Sequence, residues 1–410
     1  VAHFVTHLES AIDGTHLPAG QIHTLYKDRP IWVRYDLPAI GKTLKREMLA
    51  HRAPTLWRYR ELLPPMHDSS IVTLGEGMTP LLPCARLGEQ LGLSNLWVKD
   101  ESQLPTGSFK SRGQTVAVTM ANEFGIKRVA IPTAGNAGGA MAAYAARAGM
   151  EAFVFMPADT PAINQFEAVL CGAKVFLVNG LINDCGKIVR AGVEQMKWFD
   201  ISTLKEPYRI EGKKTMGLEL AEQLNWKLPD VIVYPTGGGT GLIGMWKAFH
   251  ELMELGWLES DRLPRMVSVQ SDGCAPIVRA FNAGERFAPL FENAATIASG
   301  LRVPVAVGDF MILDAIRASG GTAIACDETK IVGWMRRACA AEGIAFCPES
   351  AACMAATAEL AKTGWIKPDE QVVVFNCGAA QKYPHVLPLV LPEIRVGEPL
   401  DWDFIARGGG

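Results

Sequence analysis

From Ile71 onward, short apolar runs alternate with segments of helix length, and that alternation constrains the fold more than any other feature of the chain. A first series predicts strands at Arg128 to Ile131, Ala152 to Met156 and Lys174 to Val178, with helices over Gly138 to Ala148 and near Ala162 to Leu170. A second series predicts strands at Val231 to Tyr234, Met266 to Gln270, Thr322 to Ala325 and Val372 to Phe375. Strands this short and this continuously apolar, separated by helices, belong to parallel βαβ units whose sheet is covered on both faces. Two series imply two α/β domains with a cleft between them, each an open, mostly parallel, doubly wound sheet. At 410 residues the chain has room for both and for an accessory segment.

Residues 1–70 have a different texture, with Trp32, Tyr35, Trp57 and Tyr59 set among polar and proline residues. Pro30 to Tyr35 is predicted as a strand, and Thr43 to Leu63 as a helix broken or kinked at Pro54. The expected division is an N-terminal extension over residues 1–70, a larger domain over 71–107 and 212–400, and a smaller α/β domain with scope for movement over 108–211. A tail over 401–410 follows, with Gly408-Gly409-Gly410 frayed. The charged share is 20% and the net charge −3, with both signs interspersed, which argues against nucleic acid or an anionic membrane as partner. No apolar run approaches a membrane span and no early stretch has the form of a secretory signal, so a cytoplasmic location is expected. The nine cysteines form no Cys-x-x-Cys pair, and they are read as reduced core residues, not as a disulfide or zinc framework. The eight histidines are scattered without metal-site spacing, so no metal is expected.

Chemistry concentrates at Lys110. Leu96-Trp97-Val98-Lys99 reads as a strand, Pro105-Thr106-Gly107 as a turn, and a helix begins at Phe109 with Ser108 as its N-cap. Lys110 then falls in the first helical turn, where the positive end of the dipole and Arg112 both favour the neutral amine. A neutral lysine attacks carbonyls, which marks Lys110 as a Schiff-base site; a solvated surface lysine behind a cap is the plain alternative.

Three further turns carry functional residue types. Pro235-Thr236-Gly237-Gly238-Gly239-Thr240-Gly241 follows an apolar strand and opens a helix from about Leu242, so its N–H groups and the helix dipole suit a phosphate. The overlapping Gly239-Thr240-Gly241-Leu242-Ile243-Gly244 also satisfies a dinucleotide fingerprint, for which Asp272 comes late as the ribose-binding acid. Thr133-Ala134-Gly135-Asn136-Ala137-Gly138-Gly139 offers a second helix N-terminus, suited to a carboxylate, with Asn136 as an amide donor. Cys377 follows the strand Val372 to Phe375. Arg209, in Tyr208-Arg209-Ile210-Glu211-Gly212-Lys213-Lys214-Thr215, is a guanidinium of the kind that grips oxyanions in a fork. Each has a plain alternative: a tight glycine turn, a local cap, a buried thiol, an exposed charged loop.

Together these stretches resemble the tryptophan-synthase-like, fold type II pyridoxal-phosphate enzymes, and within them the threonine synthases. Ser108-Phe109-Lys110-x-Arg112-Gly113, the asparagine loop, the glycine loop and the Cys377 turn occur in that family's order, and the likeness runs from Trp57 to Pro384. The resemblance implies pyridoxal 5'-phosphate in the cleft on Lys110, with its phosphate held by Gly237, Gly238, Gly239, Thr240 and Gly241. It implies Asn136 at the ring hydroxyl, Cys377 at the pyridine nitrogen, Thr133, Gly135 and Ala137 at the substrate carboxylate, and Arg209 at a substrate phosphate. The implied reaction is that of a carbon–oxygen lyase turning O-phosphohomoserine and water into threonine and phosphate, with a small amino acid as the expected partner. Three features depart from the threonine synthases. Ser111 follows the lysine in place of aspartate; Ala134, Ala137 and Gly138 stand where hydroxyl side chains are common; and Cys377 stands where threonine is common. They keep open a serine/threonine dehydratase or another β-elimination or β-replacement enzyme. A cofactor-binding regulator without turnover and an NAD-dependent oxidoreductase are further alternatives. A homodimer is compatible with the sequence but not read from it.

Overall fold

The computed structural model describes residues 3–387 and 391–406; the predicted frayed end, Gly408-Gly409-Gly410, lies outside them. In chain order the strands are β1 (Val5–Ser10), β2 (His16–Leu17), β3 (Ile31–Tyr35), β4 (Leu81–Pro83), β5 (Asn95–Asp100), β6 (Arg128–Pro132), β7 (Glu151–Pro157), β8 (Lys174–Val178), β9 (Phe199–Asp200), β10 (Val231–Pro235), β11 (Arg265–Ser271), β12 (Thr322–Cys326) and β13 (Gln371–Asn376). They form a six-stranded sheet in the order β12-β11-β10-β13-β5-β4, a four-stranded sheet β8-β7-β6-β9 and a three-stranded sheet β2-β1-β3. The six-stranded sheet is parallel except for its edge strand β4, and the four-stranded sheet is parallel throughout.

The helices that matter here are α1 (Leu37–Thr43), α2 (Ala85–Leu91), α3 (Lys110–Glu123), α4 (Asn136–Arg147), α5 (Ala162–Leu170), α6 (Ile182–Met196), α7 (Tyr208–Gln223), α8 (Thr240–Glu254), α9 (Pro276–Asn282), α10 (Asp309–Ala318), α11 (Ile331–Glu342) and α12 (Pro348–Lys362). Side chains alternate across a strand, so β10 feeds two cores. Val231 and Val233 pack with residues of α11 and α12, while Ile232 and Tyr234 pack with residues of α7, α8 and α10. The smaller sheet does the same: Val129 and Ile131 meet α3 and α4, and Ala130 meets Cys185 and Val189 of α6. Burial on both faces explains the unbroken apolar runs, each such side chain contributing roughly 1.5–3 kcal/mol.

The predicted elements Ala162 to Leu170 and Lys174 to Val178 coincide with α5 and β8, and the other predicted strands differ by a residue or two. The N-terminal extension departs further. No helix spans Thr43 to Leu63: α1 ends at Thr43, Leu44 is extended, and the segment continues as 3₁₀ turns at Arg46–His51 and Leu56–Leu62. The extension is fastened to the core through long side chains that a helical reading does not foresee. The Tyr35 hydroxyl donates to Glu211 at 2.8 Å, Lys247 to the Val33 carbonyl at 2.6 Å, and Arg58 and Tyr59 to Glu222 at 2.6 and 2.5 Å. Pairing of β1 with β2 also stacks the rings of His7 and His16, centroids 3.9 Å apart, beside Glu9. All nine cysteines are free; Cys171 is half-buried, Cys339 exposed and the other seven buried. Among the described residues no helix is long and apolar enough to cross a membrane.

One crossing positions the site. Helix α7 lies so close to α3 that a Cβ built at Gly212 would overlap the Arg112 carbonyl, and one at Gly113 would lie 3.2 Å from the Arg209 carbonyl. Gly212→Ala is expected to lower stability by about 1–3 kcal/mol through overpacking. Urea unfolding measures this, and a loss below about 0.5 kcal/mol would show the crossing to be slack.

Candidate active site

In the larger sheet β10, β13 and β5 are neighbours and parallel, so the turns that leave their carboxyl ends meet. The turn after β5 runs alongside the turn after β13. The Phe109 N–H donates to the Cys377 carbonyl at 3.0 Å, the Ala379 N–H to the Gly107 carbonyl at 2.9 Å, and Ser108 bridges Gly378. That pairing sets the first turn of α3, and hence Lys110, over the edge of the sheet. Crevices outside the carboxyl ends of parallel strands are where open α/β sheets bind ligands.

Ser108 does not cap α3 as expected. Phe109 holds the N-cap position without a side-chain bond, and the buried Ser108 hydroxyl makes no hydrogen bond within the protein. Ser108 instead takes part in a strand-like pairing with Gly378, one residue ahead of the N-cap position. Arg112 is likewise not the group that lowers Lys110's basicity. Its guanidinium points away, into Glu101 at 2.6 and 2.7 Å and Glu219 at 2.8 Å. Lys110 is nonetheless pushed down to about 8, first by burial and then by the charge of Arg209, against the opposing pull of Cys377 and Glu349. Its ammonium lies 3.9 Å from the centroid of the Phe109 ring.

The glycine loop leads from β10 into α8, whose N-cap is Gly239 at φ +73 with no capping side chain, so the helix presents free N–H groups. Glycine is required here by close approach. A Cβ at Gly237 would overlap the Gly300 carbonyl, one at Gly239 the Ile312 side chain, and one at Gly241 the Tyr234 hydroxyl. Thr240 opens the helix itself. Cys377 sits at the end of β13 with the Tyr234 ring nearby, and burial pushes its thiol well above the usual range, keeping it neutral.

The smaller sheet brings its own carboxyl edge to the same place. Asn136 opens α4, donates to the Tyr383 hydroxyl at 3.1 Å and accepts from Asn164 at 3.0 Å. A Cβ at Gly378 would lie 3.5 Å from its Nδ2, so the asparagine loop and the Cys377 turn are in contact. The Thr133 hydroxyl is used within its own loop, donating to the Gly135 carbonyl at 3.0 Å and accepting from the Gly135 N–H at 3.2 Å; Ala137 is buried.

Arg209 is not on an exposed loop. It is the second residue of α7 and 1% exposed, donating to the Ile201 carbonyl at 3.0 Å and Thr203 at 3.2 Å; its Nε makes no hydrogen bond within the protein. The Thr203 methyl lies 2.9 Å from a Cβ built at Gly238, which puts Arg209 next to the glycine loop. Glu206 stands nearby and is pushed up to about 7 by burial, so it offsets the guanidinium incompletely.

Sequence reasoning missed Glu349, Tyr383 and Lys213. Glu349 takes the Tyr383 hydroxyl at 3.0 Å and the Gly300 N–H at 2.8 Å. Tyr383 and Lys213 lie within segments singled out for other residues; Glu349 had no signal beyond its place in a first helical turn.

An α/β fold that gathers a lysine of lowered basicity, an uncapped glycine-lined helix start and a neutral thiol where two sheets' carboxyl edges meet defines an enzyme built around a phosphorylated carbonyl cofactor. Residues 72–378 match the family described as "Pyridoxal-phosphate dependent enzyme". The threonine synthase of Methanocaldococcus jannaschii is 37% identical over 85% of this chain and 86% of its own length, and that of Methanosarcina acetivorans 38% identical over 87% and 86%. Among solved structures, maize serine racemase superposes with a TM-score of 0.64 at 23% identity, covering 74% of this chain and 88% of that one. The chain belongs to the fold type II, threonine-synthase-like superfamily of pyridoxal-phosphate dependent enzymes. The dinucleotide alternative has no support left, since the family match runs through the glycine loop and Asp272 is engaged with the Glu328 N–H at 3.1 Å.

The residues present are compatible with pyridoxal phosphate: Lys110 would take the carbonyl, the uncapped start of α8 at residues 237 to 241 would hold the phosphate, and Asn136 and Cys377 would flank the ring. If burial and Arg209 hold Lys110 near 8, aldehyde capture by cofactor-free protein should rise with pH through about 8, because the amine is charged below that value and neutral above it. An ordinary lysine would give a midpoint near about 10.4. Borohydride trapping of pyridoxal phosphate at graded pH, with peptide mapping, checks this. A midpoint near that of free lysine, or a trapped peptide lacking Lys110, contradicts it.

Proposed function

We propose that the chain is a threonine synthase-like lyase, converting O-phosphohomoserine and water into threonine and phosphate. The observation that carries this reading is Arg209: a buried guanidinium beside Lys110 and the glycine loop, with an unused N–H and no carboxylate bonded to it among the described residues. A buried cation left this way is costly unless an anion completes it. The glycine loop accounts for the cofactor's phosphate, so Arg209 remains for a second one. The threonine synthases at 37% and 38% identity support the same reading.

In this reading Lys110 attaches the cofactor and afterwards takes and returns protons at its Nζ, which a basicity near 8 allows at neutral pH. The cofactor, when bound, supplies the electron sink for bond breaking at the amino acid. The N–H groups around Gly135 and Ala137 receive the substrate carboxylate at the start of α4. Asn136, held by Tyr383 and Asn164, orients the ring. Cys377, kept neutral by burial, would serve the ring nitrogen without supplying a charge. Ser111, where the family's aspartate is usual, closes the preceding turn through Thr106 at 2.7 Å.

The loop of Ala134, Ala137 and Gly138 brings no hydroxyl to a phosphate, which is the feature that favours a serine/threonine dehydratase as second reading. Phosphate release from O-phosphohomoserine, measured beside keto-acid release from serine and threonine, separates the two. A charge-assisted contact is worth roughly 1.5–3 kcal/mol. Arg209→Met should therefore lower kcat/KM for O-phosphohomoserine by about ten- to a hundredfold, while keeping the volume of the side chain. Unchanged kinetics in that variant, or keto-acid release as the only activity, contradicts the proposal.

A further inference from the structure

Lys213 is wholly buried where three helices cross. On one side its Cε lies 3.0 Å from a Cβ built at Gly113 of α3; on the other its own Cβ lies 2.9 Å from one built at Gly244 of α8. Glycines on both neighbours make room for it. Its Nζ donates to the Phe109 carbonyl and lies 4.0 Å from the centroid of the Phe109 ring, the ring that Lys110 also overlies. It therefore stands between the helix that carries Lys110 and the helix that the glycine loop opens.

The other deeply buried lysines are paired with carboxylates: Lys99 with Glu219, Lys214 with Glu211 and Glu251, and Lys247 with Glu211 and Glu251. Lys213 has a carbonyl oxygen and no carboxylate among the described residues. The charges that face it are Lys110 and Arg112 from α3, Arg209 one turn back on its own helix, and Glu101 from the turn before α3; α8 contributes Gly244. Glu101 is already held by two Arg112 N–H groups. Cations four residues apart on one helix repel even in water, and more so when buried.

We propose that Lys213 joins Arg209 in a subsite for a phosphate monoester dianion. This rests on the reading of Arg209 given above and adds a second ligand to it. Burial first, then Lys110 and Arg209, hold the Lys213 amine well below its ordinary range, so it gives up its proton more readily than an ordinary lysine while no anion faces it. Arrival of a dianion supplies the missing counter-charge, and the amine takes one proton from solvent to become an ammonium; no bond to carbon forms or breaks.

The test is calorimetry of inorganic phosphate binding to the holoenzyme at about pH 8, where phosphate is already dianionic, in buffers of different ionisation enthalpy. The wild type should bind phosphate with uptake of close to one proton. Lys213→Met, which keeps length and apolar volume, should bind at least tenfold more weakly and without proton uptake, with its melting temperature not lowered. Lys213→Arg, permanently charged, should recover binding but not the uptake. A second arm uses the cofactor-free protein with pyridoxal phosphate and pyridoxal. If Lys213→Met weakens the first and not the second, the dianion served is the cofactor's; if it leaves both alone and alters phosphate binding, the dianion is the substrate's. Equal affinities and equal proton uptake in wild type and Lys213→Met in both arms would overturn the proposal. If the wild type releases no phosphate from O-phosphohomoserine yet shows Lys213-dependent uptake, the function falls and the subsite stands. Turnover with no dependence on Lys213 in either arm sinks the subsite alone.

Discussion

The position of Lys110 depends on the charge cluster beneath the crossing of α3 and α7. Lys99 at the end of β5, Glu101 in the next turn, Arg112 on α3 and Glu219 on α7 are fully buried and mutually paired. Glu219 also receives the Met78 and Thr79 N–H groups at 2.8 and 2.7 Å, and Lys99 donates to the Thr79 carbonyl and Gln223 at 2.6 and 2.7 Å. Burying four charges is expensive, and such a cluster does not by itself stabilise relative to a packed apolar core. What it supplies is register. Removing any one partner would strand the others at a cost of about 3–5 kcal/mol, so strand, turn and both helices are locked in one relative position. Lys110 is two residues from Arg112 and inherits that fixity.

With its register fixed from below, the site tolerates an excess of positive charge above. Lys110, Lys213 and Arg209 are gathered on one side, with Glu349, the weakly acidic Glu206, Asp200 and the already paired Glu101 as the nearby carboxylates. Burial is the first cause of every shift here: it lowers the basicity of both lysines, with the neighbouring cations adding to it, and it raises Glu206 against the pull of Arg209. On the function proposed above, such a deficit of negative charge is what phosphorylated anions would need to offset their lost hydration.

Much of this was legible because the informative residues are local. Strands showed as short apolar runs such as Lys174 to Val178, and four loops showed as glycine, asparagine or cysteine turns at strand ends. All four converge because parallel topology puts strand carboxyl ends on one edge. The misreadings share one cause, a partner far away in sequence. Ser108 looks like a cap until Gly378 pairs with it. Arg112 looks like a neighbour of Lys110 until Glu219, 107 residues later, takes it. Thr43 to Leu63 has helical letters, but its Arg58 and Tyr59 are held by Glu222 in a tighter turn. Lys213 sat in a quoted segment, and nothing local distinguished it from Lys214, which is paired twice over.

The contacts that close the site are of a different grade from those beneath it. Across the mouth the smaller sheet's elements meet the larger through Arg302 and Asp159 at 3.1 Å, Lys382 and Glu167 at 2.6 Å, and Asn136 and Tyr383 at 3.1 Å. Asp159 is 60% exposed at its side chain, and an ion pair so wet contributes about 0–1 kcal/mol. The cluster under α3 and α7, by contrast, has no exposed member. The wet Arg302–Asp159 pair is therefore a weaker tie than the buried cluster that fixes Lys110, whereas Lys382–Glu167 and Asn136–Tyr383 are better shielded. On the function proposed above, that difference in shielding leaves the spacing of Lys110, the glycine loop and Arg209 set by the buried side of the site and not by its rim.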